Sequence, residues 1–328
     1  MDGLSIILPN YNGKHLFEKY FEKNLEIFKS LKCEYEIILV DDASTDESVA
    51  FLKENFNDKI TIIEKKENCG FSKTCNIGIK ASKYEIIFLL NTDVVLTPNY
   101  FDSIFKYFEK QDTFGVMGRI IGMTDTIIQD AARLPKISGK KIKPSNFFYI
   151  DNKDFLTPTL YLSGAIALID SKKLKELGGF NELFSPFYGE DFELSLRAWR
   201  LGWKCYYHHE SICRHEIAGS TKNYEKKYWI KNIYFRNRYF VHYLHYNGFD
   251  LFFWLLQVII IDLMPSVFSV NHYKIKAYKT LLQKKKELDN YKSDFKKLME
   301  KHHSARTVAD VFLEVKKMIK GQKIETIN

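Results

Sequence analysis

The sequence predicts an α/β fold, a mostly parallel central sheet with flanking helices, followed by a C-terminal helical extension. Three observations carry this expectation. Runs rich in Ile and Val alternate with helical patterns through the first hundred residues, acidic clusters fall where those runs end, and after about residue 223 the composition turns aromatic and basic. Alternating strand and helix signals imply βαβ units, because parallel strands need a crossover between them.

The elements follow in order. Residues 4–8 read as a strand followed by a helix to about Lys29; residues 35–40, 60–64 and 84–90 read as strands preceding helices from Thr45, Ser72 and Pro98. Ser44-Thr45-Asp46-Glu47 offers a cap and first-turn carboxylates, and Thr97-Pro98 a cap with Pro at the first helical position. From Met117 to Thr157 a polar, Lys-rich stretch with Pro135, Gly139 and Pro144 reads as a long loop or lid over a cleft. A strand over 160–169, interrupted at Ser163-Gly164, precedes a helix from Ser171 that stops at Gly178-Gly179. The aromatic segment 180–188 then leads through Gly189-Glu190-Asp191 into a helix over 192–201.

In the extension, residues 251–261 are almost unbroken apolar sequence. A spanning helix needs roughly 20 such residues, so this run is expected to lie in an interface or pack on the core. Leu281, Leu288 and Phe295, with Tyr291 and Leu298 between them, give about two and a half heptads, and Val308, Val311, Phe312, Val315 and Ile319 form a helical stripe.

A chain of 328 residues with 45% hydrophobic and 15% aromatic content can bury a full core, which excludes a disordered chain. Five cysteines without C-x-x-C spacing suit neither a zinc ribbon nor a disulfide framework and fit a reducing compartment. The first strand begins too early to leave room for a signal peptide, so a cytoplasmic protein is expected. The net charge of +8 is confined to residues 271–328, with 15 Lys and Arg against 7 Asp and Glu; the first 270 residues carry 34 of each sign. That local surplus points to an anionic surface. Acids interrupt it and no reading motif accompanies it, which argues for membrane headgroups and against nucleic acid.

The chemistry concentrates at strand ends. In open α/β sheets ligands bind beyond the carboxyl ends of the strands, where Pro9-Asn10-Tyr11-Asn12, Asp41-Asp42 and Asn91-Thr92-Asp93 all fall. A carboxylate at 41 or 42 accepts the N3 proton of a uracil or thymine ring or the ribose hydroxyls, with Tyr11 placed to stack on the base. Asp93 suits a hard ion such as Mg²⁺ or Mn²⁺, which takes one or two protein carboxylates and fills its other positions with phosphate oxygens and water. Asp191 opens a helix whose free N–H groups favour its ionised form, while Phe184, Phe187 and Tyr188 exclude water and raise its pKa, the compromise a general base needs. Taken singly, each cluster also reads as a turn or a helix cap, and His215 as a structural histidine.

Together, in this order, the blocks resemble family 2 glycosyltransferases of the GT-A fold, specifically the rhamnosyltransferase-like branch. The resemblance runs from Leu4 to about Phe240: Ile7-Leu8-Pro9-Asn10-Tyr11-Asn12, Val40-Asp41-Asp42-Ala43-Ser44-Thr45-Asp46, Asn68-Cys69-Gly70-Phe71-Ser72 with Asn76 and Gly78, Leu90-Asn91-Thr92-Asp93, Ser163-Gly164-Ala165, Gly178-Gly179-Phe180-Asn181-Glu182, Glu190-Asp191-Phe192-Glu193-Leu194-Ser195-Leu196-Arg197, and His215 with Gly219-Ser220. It implies a catalytic domain over 1–222, with a nucleotide-binding half to about 115 and an acceptor-binding half from about 116, and an extension over 223–328. It implies that Pro9, Tyr11, Asn12, Asp41, Asp42, Lys73, Asn76, Asn91 and Thr92 hold a nucleoside-diphosphate sugar, and that Asp93 and His215 hold the divalent metal. Asp191, with Glu190, deprotonates the acceptor, and Gly164, Tyr188 and Glu190 contact it. The family's metal motif is often Asp-x-Asp, whereas its first position here is Asn91, so metal affinity without donor should be weak.

The reaction so implied is an inverting displacement at the anomeric carbon, from dTDP-rhamnose or a UDP-sugar to a hydroxyl of a glycan or lipid-linked glycan. The basic extension suits the inner face of the cell membrane, or pairs with a second copy of the chain as a homo-oligomer. The competing expectation is a nucleotide-sugar-binding protein without transfer that acts as an assembly platform.

Overall fold

A computed structural model describes residues 2–216, 224–268 and 272–327. Thirteen strands occur among these residues: β1 (Gly3–Asn10), β2 (Glu34–Asp41), β3 (Thr61–Glu64), β4 (Ile86–Leu90), β5 (Val94–Leu96), β6 (Thr113–Gly122), β7 (Ile128–Asp130), β8 (Ala132–Ser138), β9 (Lys141–Ile150), β10 (Thr157–Pro158), β11 (Ile166–Asp170), β12 (Lys204–His215) and β13 (Ile324–Ile327). The main sheet runs β10-β12-β6-β11-β4-β1-β2-β3, with β5 and β7 attached to β12 and β6; β13, β9 and β8 form a second sheet.

The parallel half is as expected: β1 pairs in parallel with β2 and β4, and β2 with β3. Strands β1 and β4 and the second half of β2 are buried on both faces, which explains their continuous Ile, Val and Leu runs, while edge strand β3 is not. Chain order reverses around β1, which lies between β2 and β4, so the crevice opens beyond Asn10, Asp41 and Leu90. Strand β11 is antiparallel to both β4 and β6 and joins this half to a mixed one.

Several elements depart from expectation. The stretch 117–157 is no lid loop: it holds most of β6, then β7 and the β8–β9 hairpin. Alternation of lysine with Ile and Phe along β9 satisfies a two-sided strand, a period that lysine content obscures. No helix starts at Pro98; turns lead to a 3₁₀ helix at Ile104–Glu109. The strand expected over 160–169 keeps only Ile166–Asp170, because Ser163 and Gly164 turn toward the crevice. Helices at Ser48–Phe56, Phe71–Ala81, Ser171–Glu176 and Glu190–Arg200 lie close to their predicted places.

The extension is folded onto the domain. Helix Tyr224–His245 contributes Tyr239, Phe240, Val241 and Leu244 to the same core as Leu194, Leu196 and Trp199 of helix Glu190–Arg200. The heptad positions Leu281, Leu288 and Phe295 are buried in this core, in two helices, Tyr273–Gln283 and Lys285–Lys301, that meet at Lys284. The apolar run is longer than eleven residues: helical backbone continues over Gly248–Val267, long and apolar enough by length and composition to cross a membrane. The boundary drawn at 222 and the Gly219-Ser220 motif lie outside the described residues.

Candidate active site

Three loops meet over the ends of β1, β2 and β4. Asp41 is buried and consumed within the loop it starts: Asn10 Nδ2 donates to its Oδ1 at 2.7 Å, and the Ser44 hydroxyl and backbone N–H donate to it at 2.6 and 2.9 Å. Asn12 Oδ1 accepts from the N–H groups of Thr45 and Asp46 at 2.7 and 3.2 Å. These two residues build the loop through hydrogen bonds within the chain. Asp42 faces a cavity of about 390 Å³ that is also lined by Pro9, Tyr11, Asn68, Phe187 and Trp229. Its Oδ1 accepts from Lys65 Nζ and from Cys69 N–H at 2.9 Å, and its Oδ2 from Gly70 N–H at 2.8 Å. A carboxylate oxygen has two acceptor directions, so one remains at Oδ2. Tyr11 is 54% exposed at the rim.

Gly70 carries this pocket to the next. At φ +85°, with a would-be Cβ 2.8 Å from Pro186 Cα, only glycine lets the 184–188 loop close against it. Phe71 N–H then donates to Pro186 O at 3.0 Å. Lys73, in the following turn, is half-buried, off the cavity wall and without an ion pair among the described residues. Asn76 does not reach the pocket: it donates to Phe180 O at 2.9 Å and accepts from Phe180 N–H at 2.8 Å, tying its helix to the 178–182 turn. Asn76 is thus engaged within the fold, whereas the Lys73 ammonium has no carboxylate partner among the described residues.

Asp191 and Asn91 are joined through two consecutive residues. Gly164 N–H donates to Asp191 Oδ2 at 3.3 Å, and Asn91 N–H donates to Ala165 O at 2.9 Å. The turn after β4 therefore sits beside the start of helix Glu190–Arg200. Asp93 Oδ2 lies 3.3 Å from His215 Nε2, while His215 Nδ1 lies 2.6 Å from Gln129 Oε1. The side-chain oxygens Asn91 Oδ1 and Asp93 Oδ1 are buried without a hydrogen-bond partner. Two orphaned oxygens beside an oriented imidazole fit a hard divalent ion that takes its remaining ligands from phosphate and water. Among the described residues no group of three or more His, Cys, Asp or Glu side chains is placed to bind a metal. Thr92 is half-buried in the same turn.

Tyr188 and Gly189 both take left-handed backbone, at φ +77° and +83°. For tyrosine this is a strained conformation, held here from outside. Asn237 Nδ2, from the C-terminal helix, donates to the carbonyls of Phe184, Phe187 and Tyr188 at 2.7, 3.0 and 2.7 Å. This turn aims Asp191 into a second cavity of about 570 Å³, lined also by Arg133, Tyr161, Tyr188, Lys231, Tyr234 and Arg238. Glu190 points the other way, buried near Cys75 with Oε2 unpartnered.

Burial raises the pKa of both carboxyls, and Asp191's charge raises that of Glu190 further. N–H donors from Phe192 and Gly164 pull Asp191 back toward the ionised form, whereas Glu190 lacks external donors and retains its proton to higher pH. Behind them Asp130, which accepts from Tyr161 Oη at 3.0 Å, is pushed up to about 6 by burial. Sequence reasoning missed Gln129, Asp130, Arg133 and Asn237. The first three lay in the supposed lid and the fourth in the supposed appendage, and none has a motif of its own. A depression of about 720 Å³ at the amino-terminal end of β4, lined by Glu85, Asp102 and Lys106, meets none of these residues.

The segment 5–178 matches the family described as Glycosyl transferase family 2. The chain is 25% identical over 239 residues to chondroitin synthase of Escherichia coli, covering 63% of this chain and 33% of that one; it spans only a third of that relative's length. It is 26% identical over 291 residues to a dolichyl N-acetyl-alpha-D-glucosaminyl phosphate 3-beta-D-2,3-diacetamido-2,3-dideoxy-beta-D-glucuronosyltransferase of Methanococcus voltae, covering 82% and 84% of the two chains. Among solved structures, GalNAc-T7 with UDP, GalNAc and Mn²⁺ superposes with TM-score 0.66 at 15% identity, covering 97% of this chain and 56% of that one, a likeness of fold. These relatives do not single out the rhamnosyltransferase-like branch.

Proposed function

The chain belongs to glycosyl transferase family 2, and we propose that it is an inverting, metal-dependent glycosyltransferase, moving a sugar from a nucleoside-diphosphate donor to a hydroxyl of a glycan or lipid-linked glycan. The observation that carries this reading is the Asn91–Ala165 and Gly164–Asp191 pair of hydrogen bonds, which sets a base beside a phosphate-and-metal corner.

The base of the donor enters the 390 Å³ cavity, stacks on Tyr11 and donates to the free direction of Asp42 Oδ2, as the N3–H of uracil or thymine does. A UDP-sugar or dTDP-rhamnose meets that demand. Asp93 and His215, with Asn91 and Thr92 alongside, would hold a divalent ion, Mg²⁺ or Mn²⁺, at the diphosphate. When bound, such an ion neutralises charge on the departing nucleoside diphosphate. The Mn²⁺ of GalNAc-T7 supports this assignment by fold likeness.

The acceptor occupies the 570 Å³ cavity between Tyr188 and Asp191. Asp191 takes the proton of its hydroxyl as the oxygen attacks the anomeric carbon from the face opposite the leaving diphosphate, so a single displacement inverts the centre. Glu190 keeps its proton, which leaves Asp191 as the one ionised carboxylate at the helix start. Gly164 N–H fixes the orientation of Asp191. The Methanococcus relative's name, with its dolichyl phosphate substrate, supports a lipid-linked acceptor, and the extension would bring the cytoplasmic domain to the inner membrane face where such acceptors are presented.

The test is a thermal-shift panel of UDP-, dTDP- and GDP-sugars with Mg²⁺ or Mn²⁺, followed by NMR of the product's anomeric configuration. A uracil or thymine donor that stabilises the chain only with metal, and an inverted product, are expected; retention of configuration refutes the single displacement.

A further inference from the structure

Helix Gly248–Val267 is inside out. Its inward stripe, Trp254, Val258, Asp262 and Ser266 at four-residue spacing, is buried and holds a carboxylate and a hydroxyl. The outward surface is apolar: Phe249 is 83% exposed, and Phe252, Phe253, Ile260 and Ile261 are exposed with it. No charged residue lies between Asp250 and Asp262, and Asp250 is paired with Lys140 at 2.6 Å. Water-soluble surfaces seldom leave so long an apolar stretch in contact with solvent.

The helix is fastened to the body along its length. Trp254 stacks on His242 with centroids 5.3 Å apart, Gln257 donates to Ser138 O at 3.1 Å, and Asp262 pairs with Lys141 and Lys274 at 2.7 and 3.1 Å. These anchors hold it flat on the body and oppose its leaving to span a bilayer. Where it meets the body, a cleft of about 200 Å³ is lined by Lys141, Lys143, Arg238 and Lys274, with Asp262 as its only carboxylate. Lys143 and Arg238 have no carboxylate partner among the described residues. Surplus cations beside a lipid-like face complement a layer with apolar chains and anionic headgroups. The apolar surface also wraps round every side of the helix except the inward stripe, a convex shape that lipid encloses and one flat protein face does not.

We propose that helix Gly248–Val267 lies in the plane of an anionic phospholipid leaflet, with its outward face among the acyl chains and a phospholipid phosphate in the Lys141–Lys143–Arg238–Lys274 cleft. Arg238 and His242 line both this cleft and the 570 Å³ cavity, so the leaflet adjoins the entrance to Asp191. Only this last consequence rests on the transferase reading.

The full chain, F253S/I260S and K143E are to be sedimented with vesicles of phosphatidylcholine alone or with one third phosphatidylglycerol. Both variants change exposed or unpaired side chains, and donor hydrolysis without vesicles should remain unchanged. Wild type should prefer the anionic vesicles about tenfold, F253S/I260S should lose binding by at least about tenfold, and K143E should lose the anionic preference while keeping weak binding. Equal wild-type binding to both vesicles, or full binding by F253S/I260S, overturns the proposal. So does a wild-type dimer that F253S/I260S converts to monomer without change in vesicle binding, which assigns the face to a second copy. Resistance to an alkaline carbonate wash would mark a spanning helix and overturn the in-plane placement. Loss of donor hydrolysis in all forms would refute the transferase reading and leave the vesicle result standing.

Discussion

Asn237 Nδ2 lies 2.7 Å from the carbonyl oxygen of Tyr188, a bond from the C-terminal helix to a strained residue three positions before Asp191. The same amide group serves Phe184 and Phe187, so one buried side chain reaches three carbonyls of the loop that lies between the 390 and 570 Å³ cavities. Replacing it with leucine orphans the Phe187 and Tyr188 carbonyls, at roughly 1–3 kcal/mol for each group that water does not reach, while Phe184 O keeps the Arg236 guanidinium at 3.1 Å. Asn237→Leu is expected to lower the melting temperature and raise the acceptor KM more than the donor KM. Unchanged kinetics in a folded variant would show that the loop holds its shape without this bond.

Asp191→Asn keeps one acceptor oxygen for the N–H groups of Gly164 and Phe192, which in wild type donate to separate oxygens, and removes the proposed base. Transfer should fall by about 10²–10⁴-fold, with donor binding by calorimetry within about twofold of wild type. Near-normal turnover would remove Asp191 from the mechanism. Because burial raises its pKa, the activity of wild type should fall on the acid side at a midpoint above the ordinary aspartate value, as protonation abolishes the base.

Gln129 orients the His215 imidazole and lines neither cavity, so its effect should pass through metal affinity. Gln129→Leu is expected to raise the Mn²⁺ or Mg²⁺ concentration for half-maximal activity by about 10–100-fold, with kcat recovered at saturating metal. Asp93→Ala should abolish metal-dependent donor binding. Equal metal titrations for wild type and Gln129→Leu would reduce the 2.6 Å contact to packing.

Glu190 is buried with one oxygen unpartnered and a raised pKa. Its folded form keeps the proton to higher pH than the unfolded chain, so stability falls as pH rises from the ordinary carboxyl value toward the raised one. Glu190→Gln cannot ionise. It should match wild type near pH 4 and exceed it by on the order of 1–3 kcal/mol near neutrality, read as the difference between denaturation midpoints. A constant difference across pH would refute the ionisation account.

The parallel half was legible because buried strands leave continuous apolar runs, and Tyr11, Asp42 and Asn91 fell at their ends while Asp191 opened a helix as its sequence signals required. Asp41, Asn12 and Asn76 were legible as positions, whereas the hydrogen bonds they make within the fold were not. A side chain that builds a loop and one that grips a ligand have the same composition, and only hydrogen-bond partners tell them apart. The β8–β9 hairpin was hidden by lysines on its solvent side, and with it went Gln129, Asp130 and Arg133. Asn237 was out of reach for another reason: its three partners lie about fifty residues upstream, and no local spacing encodes so distant a contact.

The helix bearing Asp191 is also fixed by a buried Glu193–Arg197 pair, with Arg197 donating to Leu177 O and Gly179 O. Its far side packs against Tyr224–His245. Recombining relatives at position 178, where the family match ends, would therefore cut through one cooperative unit and separate the chemistry from its scaffold. Chimeras meant to exchange donor preference should take their crossover within the first ninety residues, and those meant to exchange acceptors should carry everything from β6 to the last helix as one block.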